Sequence, residues 1–151
     1  MKKILKMCTC LMMVLIIFQV GCASDQTNET YDQFISQLPE EQYYAFAELE
    51  SAAYPVLLVT DQVYEYEEGV QAAISCEVYY LQEGEVVSIG EISSEGTAYP
   101  IRFSEQGVYT AGHHYAGKYN VDEKLGILSL EEYAEEVFEE GTGKETYFYT
   151  I

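Results

Sequence analysis

The chain has 151 residues, enough to bury one core but short for two independent domains. A hydrophobic share of 48% and an aromatic share of 14% argue against a disordered chain, which stays unfolded only when hydrophobicity is low. A formal net charge of −19 repels phosphate backbones and anionic headgroups, which argues against nucleic-acid binding and against electrostatic adsorption to membranes.

The chain opens on Lys2, Lys3 and Lys6, continues through an apolar run from Met7 to Val20, and reaches Gly21-Cys22. A charged start followed by an apolar stretch is the anatomy of a secretory signal. The run is shorter than the roughly 20 residues a transmembrane helix needs. Its end resembles the lipobox of bacterial lipoproteins, in which a small residue precedes a Cys that is diacylated and becomes the mature N-terminus. Gly21 and Cys22 match that pattern and Val20 is compatible with it, whereas Gln19 departs from the usual aliphatic residue. The resemblance implies a lipid on Cys22, a place on the extracytoplasmic face of the bacterial cell membrane, and the membrane as a partner through that lipid. Gly21-Cys22-Ala23 also fits small-x-small cleavage by the ordinary signal peptidase, which releases a secreted chain beginning at Ser24. The expected organisation is a signal peptide over 1–21, a lipidated tether over 22–30, and a single β-rich extracytoplasmic domain over 31–151.

Loss of the leader removes three of the seven basic residues, leaving Arg102, Lys118, Lys124 and Lys144 against all 26 acidic ones, four minus 26 or −22. It also removes Cys8 and Cys10, so that Cys76 has no disulfide partner once Cys22 carries lipid. Cys76 sits among apolar strand residues with no cation nearby in sequence, which predicts a buried thiol packing as a small hydrophobe.

Within the domain, Thr30-Tyr31-Asp32-Gln33 has capping-box spacing, and Tyr31, Phe34, Ile35 and Leu38 follow at helical intervals before Pro39. A short helix is predicted there. Tyr43 to Leu49 and Tyr54 to Thr60 read as strands, the first also readable as a helix begun at Pro39. Val70 to Gln82 alternates with a period of two, placing Val70, Ala72, Ile74, Cys76, Val78 and Tyr80 on one face. Glu83-Gly84 is a hairpin signal, Glu85 to Ser93 returns, and Gly90 marks a bulge. Thr97 to Phe103 contains Pro100 and reads as an edge or kinked strand. Val108 to Val121 is extended and broken near Gly112. Ser129-Leu130-Glu131-Glu132 repeats the capping box, and Leu130, Tyr133, Ala134, Val137 and Phe138 form a helical stripe, although residues 130–138 are also readable as a strand. Glu145 to Ile151 closes the chain as a strand. Frequent turns without long crossovers predict an antiparallel β-meander, an open sheet or partly closed barrel, flanked by two short helices.

Gly96-Thr97-Ala98-Tyr99-Pro100, Gly112-His113-His114 and Val56-Leu57-Leu58-Val59-Thr60-Asp61 are similar to stretches of small uncharacterised lipoproteins of Gram-positive gut bacteria. The resemblance covers residues 43 to 151 and implies no particular activity.

Few residues point to chemistry. His113 and His114 are the only histidines, and they share an ion only if the chain turns at Gly112, because strand neighbours point to opposite faces. No further His or Cys supports a metal there. No nucleophile signature of the Gly-x-Ser-x-Gly kind occurs. Asp61 to Gly69 lacks the alternating acids and central Gly of a calcium loop and reads as a solvated hairpin loop. Fifteen tyrosines and no Trp remain; most read as ordinary sheet residues, while Tyr79 at an outward position and Tyr64 and Tyr66 on a loop could stack on sugar rings or anchor a partner. The expectation is a membrane-anchored binding or interaction module that takes a protein or glycan partner, uses no cofactor and does not catalyse. The alternative is a small cation-dependent protein or hydrolase using His113 and His114 with nearby carboxylates.

Overall fold

A computed structural model describes residues 22–138, 141 and 145–150; the signal peptide expected over 1–21 lies outside them. The chain forms two compact units, Met1–Gln37 and Leu38–Ile151. In the first, helix α1 spans Cys22–Ile35. It therefore starts well before the Thr30 capping box, and residues 22–30, expected as an aperiodic tether, are helical. Among the described residues no helix is long and apolar enough to cross a membrane.

The second unit is built from antiparallel strands in two main sheets. The first sheet contains β1 (Tyr43–Ala47), β2 (Val56–Thr60), β5 (Ser75–Gln82) and β6 (Glu85–Ser93), in the order β1-β2-β5-β6. Between β2 and β5 the chain makes a separate ribbon of β3 (Tyr64–Glu67) and β4 (Val70–Ala72). The second sheet is a five-stranded meander of β7 (Arg102–Ser104), β8 (Gly107–Ala111), β9 (Tyr115–Asp122), β10 (Ile127–Phe138) and β11 (Glu145–Thr150), each strand beside the next in sequence. Neither sheet closes, so the architecture is two open sheets and not a barrel.

The turns follow local chemistry. Gln82 pairs with Glu85, leaving Glu83-Gly84 as a two-residue hairpin loop with φ of 51° and 87°. Positive φ at both central residues matches the right-handed twist of the flanking strands, and glycine adopts it without a Cβ clash. The bulge expected at Gly90 is present: Val78 pairs with Gly90 but Tyr79 with Ser88, so Ile89 is the extra residue. The Asp61 to Gly69 segment, expected as a hairpin loop, contains strand β3 over Tyr64–Glu67, and its turn is confined to Glu68-Gly69 before β4.

Alternation in β5 buries Cys76, Val78 and Tyr80 while Glu77 stays exposed. With Ala47, Val56, Leu58, Ile89 and Ile92 from the first sheet and Val108 and Val121 from the second, they form one core between the sheets. Val56, Val78 and Val108 have no exposed surface, and burial of such a side chain contributes roughly 1.5–3 kcal/mol.

Two expectations are corrected. Val70 to Gln82 is not one strand, because its pairing partner changes: β4 pairs with β3, whereas β5 pairs with β2 and β6. The second flanking helix does not exist. Residues 127–138 form β10, paired with β9 on one side and β11 on the other. A bulge between Leu130 and Glu132 places three residues of β10 after Leu130 against two of β9, so that Leu130 and Tyr133 share a face at an interval of three. That interval mimics a helix, and strand pairing on both sides overrides the helix propensity of the glutamates.

Candidate functional site

The outer face of the second sheet, opposite the core, carries a row of small side chains in register. Ala111 of β8 pairs with Ala116 of β9, Ala116 with Ala134 of β10, and Ala134 with Tyr149 of β11. Three methyl groups in line leave a trough across the strands. The next row on the same face is longer: Arg102 pairs with Tyr109, Tyr109 with Lys118, and Lys118 with Glu132. Tyr149, 77% exposed, stands at one end of the alanine row, and Tyr99 approaches from the segment before β7. The result is a groove of about 540 Å³, within the range of roughly 300–1,000 Å³ usual for small-ligand sites.

The walls are fixed by the backbone. Glu95 N–H donates to the Ala111 carbonyl at 2.8 Å and Ala111 N–H to Ser94 Oγ at 3.1 Å, which stitches the 94–100 segment to the end of β8. Tyr99 N–H donates to the Gly96 carbonyl at 3.1 Å, turning the segment so that Tyr99 meets His113 edge to face, ring centroids 5.4 Å apart. Gly112 N–H donates to the Tyr115 carbonyl at 2.9 Å, closing the β8–β9 loop. A Cβ on Gly112 would collide with the Tyr115 ring and the Glu95 carboxylate, so any side chain there requires those two groups to move.

The polar groups of the groove differ in how they are satisfied. Lys118 Nζ lies 3.0 Å from Glu132 Oε1 and 3.3 Å from Glu131 Oε2, and hydrogen bonds to Glu132 and then Glu131 raise its pKa. Arg102 Nη2 donates to Tyr66 Oη at 3.2 Å, and its guanidinium carbon lies 5.6 Å from the Tyr66 ring centroid. The Tyr66 ring in turn meets Tyr64 edge on at 6.5 Å.

His113 and His114 lie at the β8–β9 loop beside the groove, where the chain does turn. His113 N–H donates to Glu95 Oε2 at 3.1 Å, and His114 Nδ1 lies 3.1 Å from Glu136 Oε2. Their ring centroids are 6.0 Å apart. Among the described residues no group of three or more His, Cys, Asp or Glu side chains could hold a metal ion. Cys22 falls at the start of α1. Tyr64 and Tyr66 sit on β3, not on a loop, and Tyr66 reaches the groove only through Arg102. Tyr79, on β5, donates its hydroxyl to Glu77 Oε2 at 2.8 Å, away from the groove residues. Tyr99, Tyr109, Tyr149 and Arg102 carry no local signal in the sequence, because only the pairing register assembles them.

The fold and groove define a two-sheet antiparallel β domain with an aromatic trough on one outer face. No protein-family model, no curated protein and no solved structure matches the chain.

Proposed function

We propose that this protein is a lipid-anchored extracytoplasmic module of a bacterial envelope that binds a ligand in the groove of its second sheet and does not catalyse. The observation that carries the reading is the alanine row bordered by Tyr99, Tyr109 and Tyr149. Tyrosine offers a rigid apolar face with a polar tip, and a floor of methyl groups lets a flat ligand lie against the sheet. The lipobox-like Gly21-Cys22 supports the anchor, since diacylation supplies the two chains that stable membrane attachment needs. With −22 on the side chains after the leader, an acyl anchor is a better fit to a membrane surface than electrostatic adsorption.

Both halves are tested separately. Intact mass of the mature N-terminus after bacterial expression is expected to show diacylglyceryl-Cys22, lost in Cys22→Ser; an unmodified chain beginning at Ser24 overturns the anchor. The mature protein applied to glycan and peptide arrays is expected to bind in a manner abolished by Ala116→Trp, which fills the trough from an exposed position. Array binding that this variant retains, or none at all, overturns the groove.

A further inference from the structure

Among the described residues, the groove holds one cation that no carboxylate pairs with within 4.0 Å. Lys118 is taken up by Glu131 and Glu132. Arg102, one strand beyond Tyr109, is braced by a tyrosine: among the described residues no carboxylate oxygen lies within 4.0 Å of its guanidinium, and its contact is the Tyr66 ring and hydroxyl. Arg102 therefore offers its guanidinium to the groove with a tyrosine and no carboxylate as its partner, and charge complementarity favours an anionic group there. A guanidinium is a planar fork suited to bind a carboxylate bidentately, and the Tyr66 hydroxyl and ring contact that of Arg102.

We infer that the groove takes a saccharide bearing a carboxylate, a uronic acid unit, with the carboxylate on Arg102 and the apolar face of the sugar ring against the tyrosine-walled alanine floor. The inference rests on the binding reading above and specifies its ligand class. Saccharide follows from the surface: a flat floor of Ala111, Ala116 and Ala134, with tyrosines that present both a ring face and a hydroxyl. The carboxylate follows from Arg102. A short ligand with one such charge is selected over a polyanion, because the field of the whole acidic domain repels extended runs of negative charge while one charge-assisted pair at close range outweighs it.

The test titrates the full mature chain, labelled with 15N, with cellobiouronic acid and with cellobiose, two disaccharides that differ by one carboxylate. Cellobiouronic acid is expected to move the backbone amides of Ala111, Ala116 and Ala134 and to bind roughly ten-fold more tightly than cellobiose. Arg102→Gln, at an exposed position, is expected to bring the two sugars to the same affinity, whereas Tyr109→Ala weakens both. Equal affinities for the wild type, or a preference that survives Arg102→Gln, overturn the carboxylate and leave the groove as a binding site. Failure of either sugar to move the three alanine amides overturns the saccharide assignment; the groove itself then stands or falls by the Ala116→Trp array result.

Discussion

Tyr80 Oη donates a 2.6 Å hydrogen bond to Glu123 Oε1, joining β5 of the first sheet to the turn between β9 and β10 of the second. The same hydroxyl accepts the Tyr54 N–H at 3.2 Å, and the same carboxylate oxygen accepts the Ala53 N–H at 2.7 Å. Two polar side chains thus fasten the segment between β1 and β2 to both sheets. Burial first, then the bond to Glu123, pushes the Tyr80 hydroxyl up to about 12, while Tyr80 and Ala53 hold Glu123 below its usual range.

These shifts set opposite limbs of the stability profile. Tyr80 is raised, so its contribution is complete below its ordinary value of 10.0 and disappears as pH climbs to about 12; Tyr79, also raised to about 12, adds to that limb. Glu123 is lowered, so its contribution is complete above its ordinary 4.5 and disappears as pH falls through the lower folded value. Thermal melts across pH are expected to show a plateau with both limbs. Tyr80→Phe should lower the plateau and shrink each limb, and an acid limb of unchanged size in that variant would falsify the coupling.

Asn120 is the second fastening. It is 6% exposed, donates from Nδ2 to the Gln106 carbonyl at 3.0 Å and to Glu131 Oε2 at 2.6 Å, and accepts the Ser51 hydroxyl at 2.9 Å. Asn120→Ala leaves those partners in a part-buried site without it, and a loss of about 2 kcal/mol in denaturant unfolding is expected. A loss below the scatter of a neutral surface variant would mean that water replaces the amide.

Cys76 is 6% exposed, and burial followed by the nearby Glu91 pushes its thiol up to about 12. The thiolate is the reactive form, so iodoacetamide at neutral pH is expected to leave folded Cys76 unmodified and to alkylate it fully once the chain is denatured. Peptide mass spectrometry reads the site directly. Equal labelling in both states would show that the first sheet opens at β5.

His114 and Glu136 form a solvent-exposed pair, with the histidine side chain 55% exposed. Such pairs are worth at most about 1 kcal/mol, so the double variant His113→Ala/His114→Ala is expected to melt close to wild type. Zinc chloride is expected to give both proteins the same melting temperature as buffer alone. A zinc-dependent rise present in the wild type and absent in the double variant would establish the cation-dependent alternative.

Sequence reasoning reached the β5–β6 hairpin because every signal there is local: alternation at Cys76, Val78 and Tyr80, the Glu83-Gly84 turn, and Gly90 at the bulge. It failed at 129–138, where the bulge after Leu130 shifts the two-residue alternation and produces the Leu130–Tyr133 interval of a helix. It also missed the break at Ala73-Ile74. The alternation runs on through those residues, but their carbonyls accept from Ile101 and Ser94, partners that only the tertiary fold supplies. The groove was illegible for the same reason. Ala111, Ala116 and Ala134 are unremarkable in sequence and become a row only when three strands are paired.

The extra residue in β10 therefore decides the shape of the surface. Without it the ladder would continue from Leu130↔Tyr119, setting Glu131 against Lys118 and Glu132 against Gly117, and Tyr133 would stand opposite Ala116 where Ala134 now stands. The hollow would be a ridge. A single surplus residue, with its carboxylate reaching Asn120 and Lys118, thus acts as a phase adjuster for the outer face. The same amino acids at a neighbouring register would make a closed surface, so what this chain presents to its surroundings is encoded in strand alignment more than in composition.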